Sequence, residues 1–582
     1  MIAEHFEQLA VLVQSQSVLT HIHNQWGKLD ISKSTAISLV LSFLGLVFAV
    51  DYAYMIYLHS KLPPGPFPLP LIGNTHLLPP SKPWIYFESL AAQYKTPILT
   101  FWTGRRPTIW LNDAWTASEL LEKRAALYAS RPRMVVFAEL GAGQSNLVNM
   151  YYGDRWRLHR KITHMGVGLQ QVRKYRCFQN DESKVVAIDL LNEPKEYVRH
   201  FERYATSVVS IIGFGRRVGS YMDPIITEVI AVMQRAAELN VPGKTFPMLM
   251  ESFPFLSKFP NWVAPWKHGL GGGQGRGRPF FYALAKEAAG TNASNSTAPS
   301  APIFNDKTEQ TQNYSQKLFH EAPKHNLTKM EISSLAGNLF GAGSDTSSST
   351  LVTFALACCA FPQTLLPAWE ELDRVIGPNR SPDFEDENNL PYTKAFVKEV
   401  FRWRSVAVIG GQPHAPVRDD WYRGYFIPAG TWIQGNIWAI HHHAREFPSP
   451  DTFNPKRFLP SHPDARPFPG ERGYMTFGWG RRVCSGQGLA EQGTLITIAR
   501  LLWGFRIEKA LDERGNEIPV DIFDYTNGLN MRPNPFECRI TPRSEEIRKT
   551  IEREGLQALS DLAKYEGETK YRMSTYYQQK KL

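Results

Sequence analysis

From Ala36 to Leu58 the chain reads AISLVLSFLGLVFAVDYAYMIYL, an apolar run in which Asp51 is the single charge. At about 1.5 Å per residue, a helix of this length crosses the roughly 30 Å hydrocarbon layer of a bilayer. The run is too long for a signal-peptide core, and no small-residue cleavage site follows it. His59, Lys61 and the stiff stretch Pro63-Pro64-Gly65-Pro66 come next. The pattern predicts an N-terminal extension over 1–35, a retained transmembrane anchor over 36–58 and a proline-rich hinge over 59–66. Lys28 and Lys33 before the run and Lys61 after it bias its orientation only weakly.

Beyond the hinge the spacing of apolar residues changes period several times. Trp84 to Tyr94 reads as a short helix, and Pro97 to Leu111 as a hairpin with β-rich runs on either side of Gly104. Helical spacing dominates from Ala114 to about Ala236. Between Gly269 and Gln316, GLGGGQGRGR and TNASNSTAPSAPIFNDKTEQTQN predict a polar loop insertion at the surface. A long helix is expected from Thr328, which forms capping-box spacing with Glu331 and precedes an apolar edge of Leu335, Leu339 and Ala342. Further helices are predicted from Leu365 to Val375 and from Pro391 to Arg404, with strands and turns over Gly424 to Ile437. A last helix follows Cys484 and carries Leu489, Leu495, Ile498 and Leu502. The whole is mainly alpha with small beta sheets, a body over 67–545 followed by a C-terminal helical extension over 546–582.

Composition narrows the chemistry. The 582 residues include five cysteines, Cys177, Cys358, Cys359, Cys484 and Cys538, an odd set without CxxC spacing. This argues against a disulfide scaffold or a cysteine-rich zinc protein and suits a reducing compartment. The formal charge is +10, yet no lysine and arginine block is interleaved with aromatics as a nucleic-acid surface requires. A basic docking face for an acidic protein or anionic lipid fits better. The sequons at Asn292, Asn295, Asn313 and Asn326 arise cheaply in so polar a stretch. His441-His442-His443 with Glu446 invites a zinc reading, but adjacent histidines point in different directions, and solvent-facing histidines suffice.

A lone cysteine is usually a small buried hydrophobe. Cys484 differs because it sits in FGWGRRVCSG, residues 477–486, directly before a helix. Gly478, Gly480, Gly486 and Gly488 let backbone run close to a flat ligand. Arg481, Arg482 and the helix N-terminus are expected to lower the thiol pKa and favour a thiolate. A thiolate axial ligand pushes electron density onto iron and favours O–O cleavage. The spacing Phe477, Gly480, Arg482, Cys484, Gly486 resembles the cysteine signature of the cytochrome P-450 family.

That resemblance covers Leu62 to about Pro542 and implies a cytochrome P-450 fold behind a single transmembrane helix. Trp156 and Arg160 in GDRWRLHRK correspond to the helix that reaches a haem propionate, and Arg482 and His414 are the further propionate candidates. AGSDT, residues 342–346, matches the central-helix motif at the oxygen site. There Thr346 would order a water chain and Asp345 would relay protons, while Gly341 and Gly343 would let the helix approach the porphyrin. Glu399 and Arg402 form the E-x-x-R pair, with Arg457 of FNPKRF locking against it.

The family implies haem b held by Cys484, with Phe477 beside it, and a monooxygenase inserting one oxygen atom from O2 into a medium-sized hydrophobic metabolite. It also implies electrons from NADPH through NADPH-cytochrome reductase, cytochrome b5 as a further donor, and an endoplasmic reticulum membrane location with the catalytic domain facing the cytoplasm. Arg155, Arg157, Arg160, Lys161 and Arg481 would steer the reductase. Phe137, Phe340, Val406, Val408 and Ile409 would wall the substrate side. VKEVFRWRSV and GYFIPAGTWIQGNIWAIHH resemble fungal enzymes that tailor secondary metabolites, including polyketide mycotoxin precursors. The competing readings are a haem-thiolate isomerase or dehydratase that needs no external electrons, a haem carrier without catalysis, and an alpha-rich binding protein without haem.

Overall fold

In the computed structural model, Thr328 sets the start of the helix on which the rest of the body is hung. Its hydroxyl accepts from the Glu331 amide at 3.2 Å while the Glu331 carboxylate accepts from the Thr328 amide at 2.9 Å, closing the expected capping box. The structure describes residues 33–566 except 142, 224, 232–244, 261–271, 291–302, 305–309 and 529. Residues 1–32 of the expected extension over 1–35, the chain from 567 onward and the sequons at Asn292 and Asn295 lie outside them.

In chain order the elements used below are α1 (Lys33–His59), α2 (Pro83–Gln93), β1 (Ile98–Thr103), β2 (Arg106–Leu111), α3 (Asp154–Val167), α4 (Arg176–Asn192), α5 (Tyr197–Phe214), α6 (Gly272–Ala288), α7 (Tyr314–Glu321) and α8 (Lys329–Ala360). They continue with α9 (Leu365–Val375), α10 (Pro391–Trp403), β3 (Asp420–Tyr422), β4 (Tyr425–Ile427), β5 (Trp432–Gly435), α11 (Ile437–His442), α12 (Gln487–Gly504), β6 (Phe505–Lys509), β7 (Cys538–Pro542) and α13 (Glu545–Leu562). The fold is mainly alpha with small beta sheets. β1 and β2 form the expected hairpin, turning at Gly104 with a φ of 60°, and β5 joins β2 in parallel from Thr108↔Trp432.

α8 runs through the middle because its small residues admit neighbours. A Cβ on Gly337 would meet the Phe281 ring of α6 at 2.7 Å, and one on Gly343 would meet Val209 Cγ1 of α5 at 2.3 Å. Gly343 thus admits Val209 on one side, and it also lines the cavity described below. The glycine-rich start of the expected loop at 269–316 is corrected, since residues 272–288 form α6. Phe280, Phe281, Leu284 and Ala285 are buried there, and tertiary burial overrides the weak local propensity. Asn313 is fully buried: its side chain accepts from the Gln316 amide and donates to the Ala288 carbonyl, capping α7, so this sequon carries no accessible acceptor.

α1 is long and apolar enough to cross a membrane, and Ile37, Leu41, Phe43 and Leu46 are exposed. Its last turns belong to the body. Asp51 pairs with Arg105 of the β1–β2 turn, and Met55 and Leu58 are buried beside Trp102 and Ile109. The proline-rich stretch lies along β1, with the Thr100 amide donating to the Pro64 carbonyl at 2.8 Å. At the other end, α13 packs on α4 so closely that a Cβ on Gly555 would meet Ile188 at 2.7 Å.

Candidate functional site

Where α3, α5, α8, α12 and the loop before α12 converge, they enclose a cavity of about 370 Å³. Its wall includes Trp156, Arg160, Thr346, His414, Phe477, Arg482 and Cys484, seven of the eight residues singled out from sequence. Asp345 is the eighth and is turned away: it is buried, and its Oδ2 accepts from Asn530 Nδ2 at 2.8 Å. Burial raises the Asp345 pKa, with Asn530 and Arg532 opposing.

The cysteine loop is set by its own backbone. The Cys484 amide donates to the Phe477 carbonyl at 2.9 Å, and Gly478 and Gly480 adopt φ values of 76° and 53°. A Cβ on Gly480 would sit 2.5 Å from the Leu121 carbonyl oxygen, so the loop closes only with glycine there. Cys484 opens into the cavity. Its thiol pKa is raised, not lowered as expected: desolvation outweighs the Gly486 amide and the Arg160 charge, which both favour the thiolate. The two loop arginines do not face the sulfur. Arg481 reaches the Tyr152 hydroxyl, and Arg482 donates to the carbonyls of Ala129, Leu147 and Met150. Arg160 instead clamps the loop, donating to the Val483 carbonyl and the Ser485 hydroxyl, both at 2.7 Å.

Among the described residues the cavity's cations lack counter-charges. Arg131 is buried and donates only to the carbonyls of Val148, Gln412 and Pro413. Desolvation lowers its pKa to about 9 and that of Arg482 to about 8. His414 donates through Nδ1 to the Tyr128 carbonyl at 2.9 Å, and burial, with Arg131 beside it, holds its pKa far below the usual value. Among the described residues none of these groups, nor Arg160, has a carboxylate partner. The Trp156 indole N–H, buried beneath Arg482 at 4.4 Å, has no acceptor among the described residues. Buried charges this exposed to one another call for an anionic ligand. A flat group bearing two carboxylates and an iron that takes sulfur fits this wall. Arg131, which nothing in its local sequence pattern marks, lines this cavity with Arg482 and His414.

The family profile of cytochrome P-450 matches residues 63–537. The chain belongs to the cytochrome P-450 family. It is similar to a cytochrome P-450 monooxygenase of Armillaria gallica, 34% identical over 519 residues that cover 88% of this chain and 96% of that one. Cytochrome P-450 monooxygenase 58 of Postia placenta is 33% identical over 492 residues, covering 84% and 90%. Cytochrome P-450 monooxygenase macC of Penicillium terrestre is 33% identical over 543 residues, covering 91% and 97%. The chain is a haem-thiolate monooxygenase, and its family implies haem, a redox partner that supplies electrons and a hydrophobic substrate.

Other features of this cytochrome P-450 lie around the cavity. Glu399 and Arg402 are fully buried and joined by two bonds of 2.7 and 2.8 Å; Arg402 also donates to the carbonyls of His441 and Pro450, and Arg457 comes within 3.5 Å of Glu399. His441 and His442 are buried, which corrects the solvent-facing expectation. His441 Nε2 accepts the Met475 amide at 2.9 Å, and His442 stacks on Trp438 at 3.9 Å between ring centroids. Of the expected substrate wall, Val406 lines the cavity. Phe340 packs instead on Phe214 and Phe281, and Val408 and Ile409 join the main core. On the basic face, Arg155 is spent on Glu331 at 2.6 Å and Arg160 turns inward, leaving Arg157, Lys161 and Arg481 exposed.

Proposed function

We propose that Cys484 would hold the iron of haem b through its thiolate and that the enzyme inserts one oxygen atom from O2 into a medium-sized hydrophobic metabolite of fungal secondary metabolism, a polyketide precursor among the candidates. The observation that carries this is the convergence of Arg131, Arg160, Arg482, His414 and the unpaired Trp156 indole on the cavity that Cys484 enters. These groups would hold the propionates, with Phe477 against the ring. Bound there, haem supplies the activation of dioxygen and its insertion into a carbon–hydrogen bond.

The chain's own residues manage protons and position. The Thr346 hydroxyl donates to the Ala342 carbonyl at 2.7 Å, so toward the cavity it presents lone pairs that can order water. Asp345, its pKa raised by burial, releases a proton nearer neutrality than an exposed carboxylate and can pass it along the helix. Electrons come from NADPH through NADPH-cytochrome reductase, with cytochrome b5 as a second donor, steered by Arg157, Lys161 and Arg481. α1 anchors the enzyme in the endoplasmic reticulum membrane with residues 67–545 facing the cytoplasm as the catalytic domain, and α13 in the extension that follows.

The test is turnover by the full chain in vesicles with the reductase. Product carrying label from isotopic O2, formed only when NADPH and reductase are both present, is expected. Product formed without them would identify an isomerase or dehydratase.

A further inference from the structure

We propose that the membrane anchor and the cavity wall are one coupled unit, in which the Asp51–Arg105 pair passes the seating of α1 in a bilayer to the wall at Arg131, Leu147 and Val148. This rests on the reading of α1 as a membrane anchor and not on the chemistry at Cys484.

Asp51 is the single charge in the apolar run from Ala36 to Leu58, and a carboxylate there weakens a spanning helix unless it has a partner. It follows the exposed apolar stretch that ends in Val50. Tyr54 and Tyr57 stand exposed just beyond it, as aromatic side chains do at a lipid–water boundary. Its partner belongs to the body: Arg105 Nε donates to Asp51 Oδ2 at 2.7 Å, and a second guanidinium nitrogen pairs with Oδ1. A pair open to water contributes little, but in a bilayer the lipid beside this one lowers the local dielectric and strengthens it.

Arg105 grips a second segment at the same time. Its Nη1 donates to the Ser252 carbonyl at 3.3 Å, its amide donates to the Ser252 hydroxyl at 3.4 Å, and its guanidinium carbon lies 5.1 Å from the Phe253 ring centre. The residues just before these reach toward the cavity. Glu251 Oε2 accepts from Arg106 at 2.9 Å and Oε1 accepts from the Val136 amide, also at 2.9 Å, while Met250 is buried against Val135 and Val136. Val135–Gly141 winds as a π-helix, a rare geometry, and Glu251 engages it in its first turn. On either side of this helix the chain is cavity wall: Arg131 precedes it, and Leu147 and Val148 follow it. Arg131 Nε closes the two sides together by donating to the Val148 carbonyl at 2.9 Å. Every step from α1 to the wall is an ion pair, a hydrogen bond or a packed side chain, so a displacement of the anchor has a contiguous path to the cavity.

Amide hydrogen exchange of the full-length protein in phosphatidylcholine vesicles, followed peptide by peptide, reads the wall directly. In Asp51→Asn, of the same shape without the charge, exchange in the peptides carrying Val136 and Val148 is expected to rise roughly fivefold, with α4 and α13 unchanged. Arg105→Ala is expected to raise the same peptides, and the double variant no further than Arg105→Ala alone, since both cut one path. Wild-type exchange in these peptides is expected to differ between vesicles of short-chain and long-chain lipid, which change the tilt of α1, and to be equal in the two for Asp51→Asn. Unchanged peptides in Asp51→Asn, a rise shared equally by α4 and α13, or a wild type indifferent to bilayer thickness overturns the coupling. Co-flotation with the vesicles tests the anchor separately: wild-type protein left behind removes the anchor reading and this proposal with it, whereas floating protein with an unchanged wall removes the coupling alone.

Discussion

Thr346 shows how far one side chain can be read. Its type and spacing in AGSDT were legible, but which way its hydroxyl points was not, and that decides its use: the hydrogen is given to Ala342 and the lone pairs face the cavity. Replacing Thr346 with alanine removes the acceptor and is expected to release more peroxide per NADPH consumed at the expense of product, while Thr346→Ser retains coupling; equal peroxide yields in the alanine variant would contradict the role. Cys484 was legible because ten consecutive residues constrain it. Phe340 was not, since the side of α8 a residue faces depends on which helices pack there, and α6 and α5 claim that face. Nothing local marks Arg131 for a related reason, because its charge has meaning only beside Arg482 and His414, far away in sequence.

At the scale of elements, local rules served where local chemistry decides. Thr328 and Glu331 cap α8 as their spacing requires, and α9 has the expected bounds. They failed at α6, where glycine-rich composition yields to the burial of Phe280 and Phe281 against α8. A three-residue spacing alone does not tell whether Glu399 and Arg402 form a solvated or a buried pair, and the structure buries both completely. Glu399→Ala strands Arg402 without its counter-charge beside His441, whose ring accepts the Met475 amide at the approach to the cysteine loop, and is expected to cost about 3–5 kcal/mol of stability. Denaturant unfolding together with haem content measures this; an unchanged midpoint with full haem would show that the pair does not support the loop.

For the whole molecule, buried neutral histidines set the acid limit. His442 is held at about 4, chiefly by desolvation, with Arg404 and Arg402 adding and Asp451 opposing; burial likewise depresses His414 and His441. The unfolded chain takes up these protons near 6.5 and the folded chain does not, so folding stability is fully present above that value and declines as pH falls from 6.5 toward about 4. Unfolding midpoints measured across this window are expected to drop on acidification, and more shallowly, by about one proton, in His442→Gln; a flat profile would contradict the burial of these rings. The architecture of the body was legible in outline, whereas the docking of the anchor through Asp51 and Arg105 was not, because it joins residues that only the folded hairpin brings together. The account as a whole stands on sulfur ligation at Cys484, and the ferrous, carbon monoxide-treated protein tests it most directly. A thiolate-type Soret band in the wild type that disappears in Cys484→Ser, with the fold retained, is the predicted result. No such band in the intact wild type, or the same band in the serine variant, would contradict it.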